Sequence, residues 1–246
     1  IDHVEYRVGR INGARVSACD EMLSDAEELI PAGQIMRIFR KGGYRERRDI
    51  WVEACQRLGV DRDTIMHATD DFLFLDFLLR NTDRHYNNFG LIRDVESFAI
   101  RPAPIYDSGA GLWNGMDPDA MDNGDYRTKP FWTDQWGEED NAYWQLSLID
   151  DWDRYDLGVL DDVPDIVHEQ LSTNQRLSPM LIDRITGLLR GRLPIIRHQR
   201  NTTATRHMIG MTPIHGLDDP SPRLQPPDPA DIPDDVRPDD SGIGLT

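Results

Sequence analysis

The chain has 246 residues, 39% of them apolar, which is enough for one sizeable core or two unequal ones. Its formal charge of −17 argues against a direct nucleic-acid surface, because neutralising phosphates takes a basic stripe, and its longest apolar run, Phe72 to Leu79, is broken by Asp76 and too short for a membrane span. Two cysteines, Cys19 and Cys55, exclude a disulfide framework and a Cys-x-x-Cys metal site; with no signal peptide in view, a reducing cytoplasm is expected.

Residues 3 to 19 alternate apolar and polar positions (Val4, Tyr6, Val8, then Val16, Ala18) around Asn12-Gly13, which predicts a hairpin. From Asp25 the pattern turns helical, with Ile35, Ile38 and Phe39 on one face. Basic residues cluster from Arg37 to Arg48, a run that reads as a solvated loop and helix start, with an anion-facing patch as the alternative. Asp49 then caps a helix carrying Ile50, Trp51, Ala54 and Leu58 and closed by Gly59. Asp61 to Leu79 is the longest periodic segment. Ile65, Ala68, Phe72, Leu75 and Leu79 line one face and Leu73, Phe74, Phe77 and Leu78 fill most of the rest, so this helix is expected to be buried all round.

A loop from Arg80 to Asn88 leads into a second hairpin, Phe89 to Arg93 with Phe98 to Ile105, ending at Tyr106-Asp107. Residues 108–163, rich in Gly, Asp, Asn and Trp, read as a long functional loop with short helices, and two further helices are expected at Pro164 to Ser172 and Pro179 to His198. Beyond Asn201, half of the sixteen prolines gather with Asp runs. That composition buries too little apolar surface to order itself, so residues 201–246 are expected to form a disordered tail. The fold class is therefore α+β, mainly helical, with two short β-hairpins and no internal repeat.

Residues 81 to 90 read Asn-Thr-Asp-Arg-His-Tyr-Asn-Asn-Phe-Gly, and nineteen residues after Asn88 comes Asp107 in Ile-Tyr-Asp-Ser-Gly. Kinase-type phosphoryl transfer uses one Asp to accept the proton of the attacking hydroxyl. An Asn five residues later and a second Asp beyond a hairpin hold Mg²⁺ on the nucleotide phosphates. Asp83, Asn88 and Asp107 stand in that order and spacing. Alone, Asp83 reads as a turn-capping Asp; in the company of Asn88 and Asp107 it reads as a general base beside a metal site. The candidate catalytic residues are thus Asp83, Asn88 and Asp107. Asn88 and Asp107 are the metal ligands, and His85, Asn88 and Asp107 the contacts to ATP. Asn87 competes with Asn88 but lies four residues from Asp83, and His85 suits a loop hydrogen bond as well as a phosphate.

The stretch Asp-Phe-Leu-Leu-Arg-Asn-Thr-Asp-Arg-His-Tyr-Asn-Asn-Phe-Gly from Asp76, followed by Ala-Pro-Ile-Tyr-Asp107-Ser-Gly, resembles the HipA-like serine/threonine kinases of bacteria. The resemblance runs over residues 3 to 200 and is strongest from 72 to 113. It implies a D-x-H-x-x-N loop in which Asp83 is catalytic and Asn88 binds metal, with Asp107 as the second metal ligand. ATP and Mg²⁺ are implied with it, as is a protein substrate phosphorylated on Ser or Thr. The same resemblance implies a kinase-like large lobe over residues 21–200, with residues 1–20 as the last of a small lobe and its hinge. A toxin role with an antitoxin-type partner is implied on this ground only. The string Asp83-Arg-His-x-x-Asn88 is also similar to the catalytic loop of phosphatidylinositol 3- and 4-kinases, whose metal motif reads Asp-Phe-Gly where this chain has Asp-Ser-Gly. A lipid kinase is the alternative on that side.

A working kinase also needs a Gly-rich loop over the phosphates and a strand Lys to hold them. The chain has two lysines, Lys41 in Arg-Lys-Gly-Gly and Lys129 in Thr-Lys-Pro-Phe, and neither lies on an alternating strand before Asp83. Since the chain also opens on Ile1 and not Met, it is expected to be the large lobe of a longer kinase, with a noncatalytic remnant or regulatory binding module as the alternative. By itself it is expected to bind Mg²⁺-ATP weakly and not to turn over.

Overall fold

A computed structural model of the chain describes residues 1–39, 47–124, 126–131 and 141–208, with side chains as far as residue 204. Among the described residues two units emerge, one from residues 2–62 and 85–106, the other from residues 63–84 and 107–208.

In the first unit, β1 (Tyr6–Ile11) and β2 (Ala14–Cys19) pair antiparallel from Tyr6↔Cys19 to Ile11↔Ala14. Asn12 and Gly13 both take the left-handed backbone, φ 50° and 81°, the two-residue turn whose twist matches that of the strands. The predicted first hairpin is present. The helical pattern read from Asp25, by contrast, begins only at Ala32: Glu27–Pro31 is a strand, β3. Its cause lies far along the chain, in β4 (Gly90–Asp94), which pairs with it antiparallel and sets Leu29 opposite Ile92. A distant ladder outweighs local preference in a short segment. β5 (Ile100–Pro102) pairs with β4 and completes a three-stranded sheet, so the second predicted hairpin is also present, with shorter strands than read. Where β3 and β4 meet, a Cβ on Gly90 would collide with the Ile30 carbonyl oxygen, so only glycine fits.

Helix α1 (Ala32–Phe39) buries Ala32, Ile35 and Met36. Ile38, read as part of the apolar face, is 75% exposed, because it falls outside the arc swept by positions 32, 35, 36 and 39. Helix α2 (Arg47–Arg57) buries Trp51, Val52, Ala54 and Cys55, and Gly59, at φ 96°, follows its end as predicted. Asp49 lies in its first turn and not at its cap; residues 40–46 lie outside the described residues. Arg47 and Arg48, the end of the basic run, are buried instead of solvated. Trp51 meets Phe89 edge-on at 5.1 Å between ring centroids.

The second unit is built on α3 (Arg62–Leu79), in which Ile65, Phe72, Leu73, Phe74, Phe77 and Leu78 are all buried, as an all-round apolar helix requires. Its buried polar groups are bonded. Thr69 Oγ1 donates to the Ile65 carbonyl at 2.7 Å, Asp70 accepts the backbone N–H groups of Asp150 and Asp151, and Asp71 accepts the Tyr155 hydroxyl at 2.9 Å. Burial, reinforced by the Asp71 and Asp70 charges, pushes the Tyr155 hydroxyl far up from its ordinary value, so it stays a donor. Residues 108–163 hold short pieces, as read: 3₁₀ turns at Pro118–Ala120, Trp152–Arg154 and Val159–Asp162, and α4 (Ala142–Leu146), whose Trp144 N–H is capped by Asn141 Oδ1 at 2.6 Å. Residues 125 and 132–140 of that stretch lie outside the described residues.

Helices α5 (Val163–Ser172) and α6 (Pro179–Met208) close the unit. α6 runs on past His198 and through Asn201, where the tail was expected to start; Asn201 to Met208 contains neither Pro nor Gly to stop it. The rest of the expected tail, residues 209–246, lies outside the described residues. Among the described residues no helix is long and apolar enough to cross a membrane.

Candidate active site

The site begins with how α3 ends. Arg80 takes a left-handed backbone, φ 55°; its N–H donates to the Phe77 carbonyl at 3.1 Å and that of Asn81 reaches back to the Asp76 carbonyl at 2.8 Å. This is a Schellman closure, with Arg in the place that usually falls to Gly. The left-handed turn costs an L-residue roughly 1 kcal/mol, and the Arg80 guanidinium lies 4.6 Å over the Tyr126 ring, a contact of comparable worth. The last turn also finds partners from afar: the Phe77 carbonyl accepts a second bond, from Arg192 Nε at 2.8 Å, and the Leu79 carbonyl accepts the Leu112 N–H at 2.6 Å. Burial holds the Arg192 guanidinium below its usual pKa and pushes the Tyr126 hydroxyl up to about 12.

Asp83 sits on the loop that leaves this closure, its N–H toward Asn81 Oδ1 at 3.4 Å. Asn81 is fixed in turn by its Nδ2 donating to Asp76 Oδ1 at 2.8 Å. Next in the chain, the wholly buried Arg84 grips the buried Asp76 with both arms of its guanidinium, Nε to Oδ2 and Nη2 to Oδ1, each at 2.9 Å. The same Nη2 donates to Ser108 Oγ at 2.9 Å. Since Ser108 follows Asp107, one buried guanidinium ties the segment carrying Asp83 to the segment carrying Asp107. Asp107 itself is exposed and left-handed at φ 51°, a conformation Asp tolerates better than most residues. Asp83 is half-exposed, and its Oδ1 pairs with Lys129 Nζ at 3.3 Å.

Asn88 and His85 belong to the other unit. Asn88 is buried, and its backbone N–H donates to the His85 carbonyl at 2.8 Å. His85 Nδ1 accepts the Asn87 N–H at 3.2 Å, so the loop hydrogen bond considered for this histidine is present. The Asn87 carbonyl accepts the Tyr106 hydroxyl at 2.7 Å, and Asn87 Oδ1 lies 3.0 Å from where a Cβ would stand on Gly33. The competitor of Asn88 is thus laid against the start of α1.

The structure joins the surroundings of Asp83 and Asp107 within one unit, while the place of Asn88 beside them rests on its sequence spacing. Carboxylate and carboxamide oxygens are the hard donors Mg²⁺ prefers, and this ion takes one or two protein oxygens and completes its shell with phosphate and water. Among the described residues no three His, Cys, Asp or Glu gather as a dedicated metal cage.

Sequence reasoning assigned no role to Asp76, Asn81, Arg84 or Ser108. A signal was present: a carboxylate inside an otherwise apolar, buried helix demands a cationic partner, and Arg84 is nearby in the chain.

No protein-family model matches this chain, and no curated protein does. Among solved structures it is similar to a proinflammatory kinase of Helicobacter pylori, CtkA, with a TM-score of 0.62 at 18% identity, covering 84% of this chain and 82% of that one. At that identity the likeness is one of fold: the chain has a kinase-like α+β fold.

Proposed function

We propose that the chain is a HipA-like protein kinase that transfers the γ-phosphoryl group of Mg²⁺-ATP to a Ser or Thr hydroxyl of a protein. The observation that carries this reading is the Arg84 clamp, which holds the segments of Asp83 and Asp107 to one buried carboxylate, Asp76. Rigid support of a reacting group is what positioning catalysis needs. Asp83 accepts the proton of the attacking hydroxyl; the new O–P bond forms as the bond to the ADP oxygen breaks, its electron pair leaving with ADP. Asn88 and Asp107 would hold Mg²⁺, which supplies charge neutralisation at the phosphates when bound, and His85 lies on the nucleotide side of the loop in this reading. An antitoxin-type partner belongs to the same proposal and rests on the resemblance alone.

The test is incorporation of labelled phosphate from γ-labelled ATP into candidate protein substrates by the purified full-length protein. Asp83→Ala is expected to lower the rate by about a hundred- to ten-thousand-fold, and Asp107→Asn to a similar extent, with melting temperatures unchanged because both side chains are solvent-accessible and outside the core. Full activity in either variant would remove the assignment. A second reading, a noncatalytic binding module on the same fold, has one observation on its side: Lys129 already occupies one oxygen of Asp83. Absence of transfer and of ATP binding by the wild-type full-length protein would favour it.

A further inference from the structure

The kinase reading leaves one part unassigned, the cation that holds the transferring phosphoryl group. We infer that Lys129 is that cation, delivered from the segment after the metal motif instead of from a strand before the catalytic loop; this rests on the kinase reading itself. Its Nζ lies 3.3 Å from Asp83 Oδ1, across 46 residues of chain.

Two features separate this pair from an ordinary surface contact. The first is how firmly its segment is held. Thr128, buried, places the one proton of its Oγ1 between the Asn81 carbonyl at 3.4 Å and the Lys129 carbonyl at 3.3 Å, and buried Gln145 of α4 donates through Nε2 to the Thr128 carbonyl at 3.4 Å. Phe131, wholly buried, packs against Phe72 of α3 at 5.9 Å. The backbone on either side of Lys129 is therefore fixed to the loop of Asp83 and to the core. The second is exposure. The side chains of Lys129 and Asp83 are 37% and 51% accessible, so the pair adds little to stability, yet both side chains remain within reach of a substrate.

An ammonium carries three N–H donors. With one on the base, the others reach the phosphoryl oxygens on which charge develops, and the same contact aligns the attacking hydroxyl beside Asp83. A cation held by its backbone before substrate arrives stabilises the transition state without reorganising.

The experiment compares wild type, Lys129→Met and Lys129→Arg in steady-state transfer from ATP, together with binding of ATP and ADP by calorimetry and thermal melts. Lys129→Met is expected to lower kcat by about a hundred- to thousand-fold. ATP binding weakens more than ADP binding, because only ATP carries the contacted phosphate, and the melting temperature stays at the wild-type value. Lys129→Arg, which keeps the charge but not its shape, is expected to restore about tenfold of the lost rate. Unchanged or raised kcat in Lys129→Met while wild type is active overturns the inference and leaves the kinase reading standing. A loss that Arg does not relieve, with a lowered melting temperature or with ATP and ADP weakened alike, marks a structural tie and overturns it too. No transfer by wild type removes the kinase reading and this inference together.

Discussion

Arg84, through Asp76 and Ser108, ties together the segments that carry the two candidate aspartates, Asp83 and Asp107. Removing it would leave the Asp76 carboxylate buried and without its bidentate partner, so Arg84→Met is expected to destabilise the fold by about 3–5 kcal/mol in urea unfolding. Replacing both partners with apolar groups removes the buried charge as well, and the double variant Asp76→Leu with Arg84→Met should recover most of that loss. A single variant as stable as wild type would mean the clamp does not hold the loop. The division between legible and hidden residues follows distance along the chain. Asp83 and Asn88 could be singled out because their spacing of five is local. The tie from Arg84 to Ser108 spans 24 residues, and no periodicity announces it.

The tight turn between β4 and β5 shows how one side chain closes an element. Asp94 Oδ1 accepts the Ser97 N–H at 2.7 Å, the Ser97 hydroxyl at 2.8 Å and the Glu96 N–H at 3.1 Å. These bonds, the Ser97 N–H foremost, hold the Asp94 carboxyl below its ordinary range. A carboxyl whose folded pKa is lowered contributes stability that is fully present above its unfolded value, about 4, and is lost as pH falls through the lowered value. Asp94→Ala is therefore expected to melt below wild type at neutral pH, with the gap narrowing as pH drops below about 4. Melting curves across that range check it, and a gap that stays constant or widens on acidification would contradict it. At this level the helices and both hairpins were readable from periodicity and from Asn12-Gly13. β3 was not, because Glu27–Pro31 becomes a strand only by pairing with β4.

The two thiols report on the molecule as a whole. Cys19 is exposed on β2, whereas Cys55 is buried in α2, and burial pushes its thiol well above the ordinary range, leaving almost no reactive thiolate. One thiol per chain should react with a disulfide reagent near pH 8 under native conditions and two in denaturant, the second following the unfolding of its unit; rapid native reaction of both would show that α2 is not packed as described. Composition and pattern were sufficient for the α+β class, the buried α3 and the order Asp83, Asn88, Asp107, because each depends on neighbours within a few turns or on a fixed count of residues. The Arg84 clamp, the β3 pairing, the outward turn of Ile38 and the arrival of Lys129 at Asp83 belong to the tertiary structure. Each joins or separates groups that the chain holds far apart or that local pattern treats alike, and only packing, by removing water and fixing which faces meet, could choose among them.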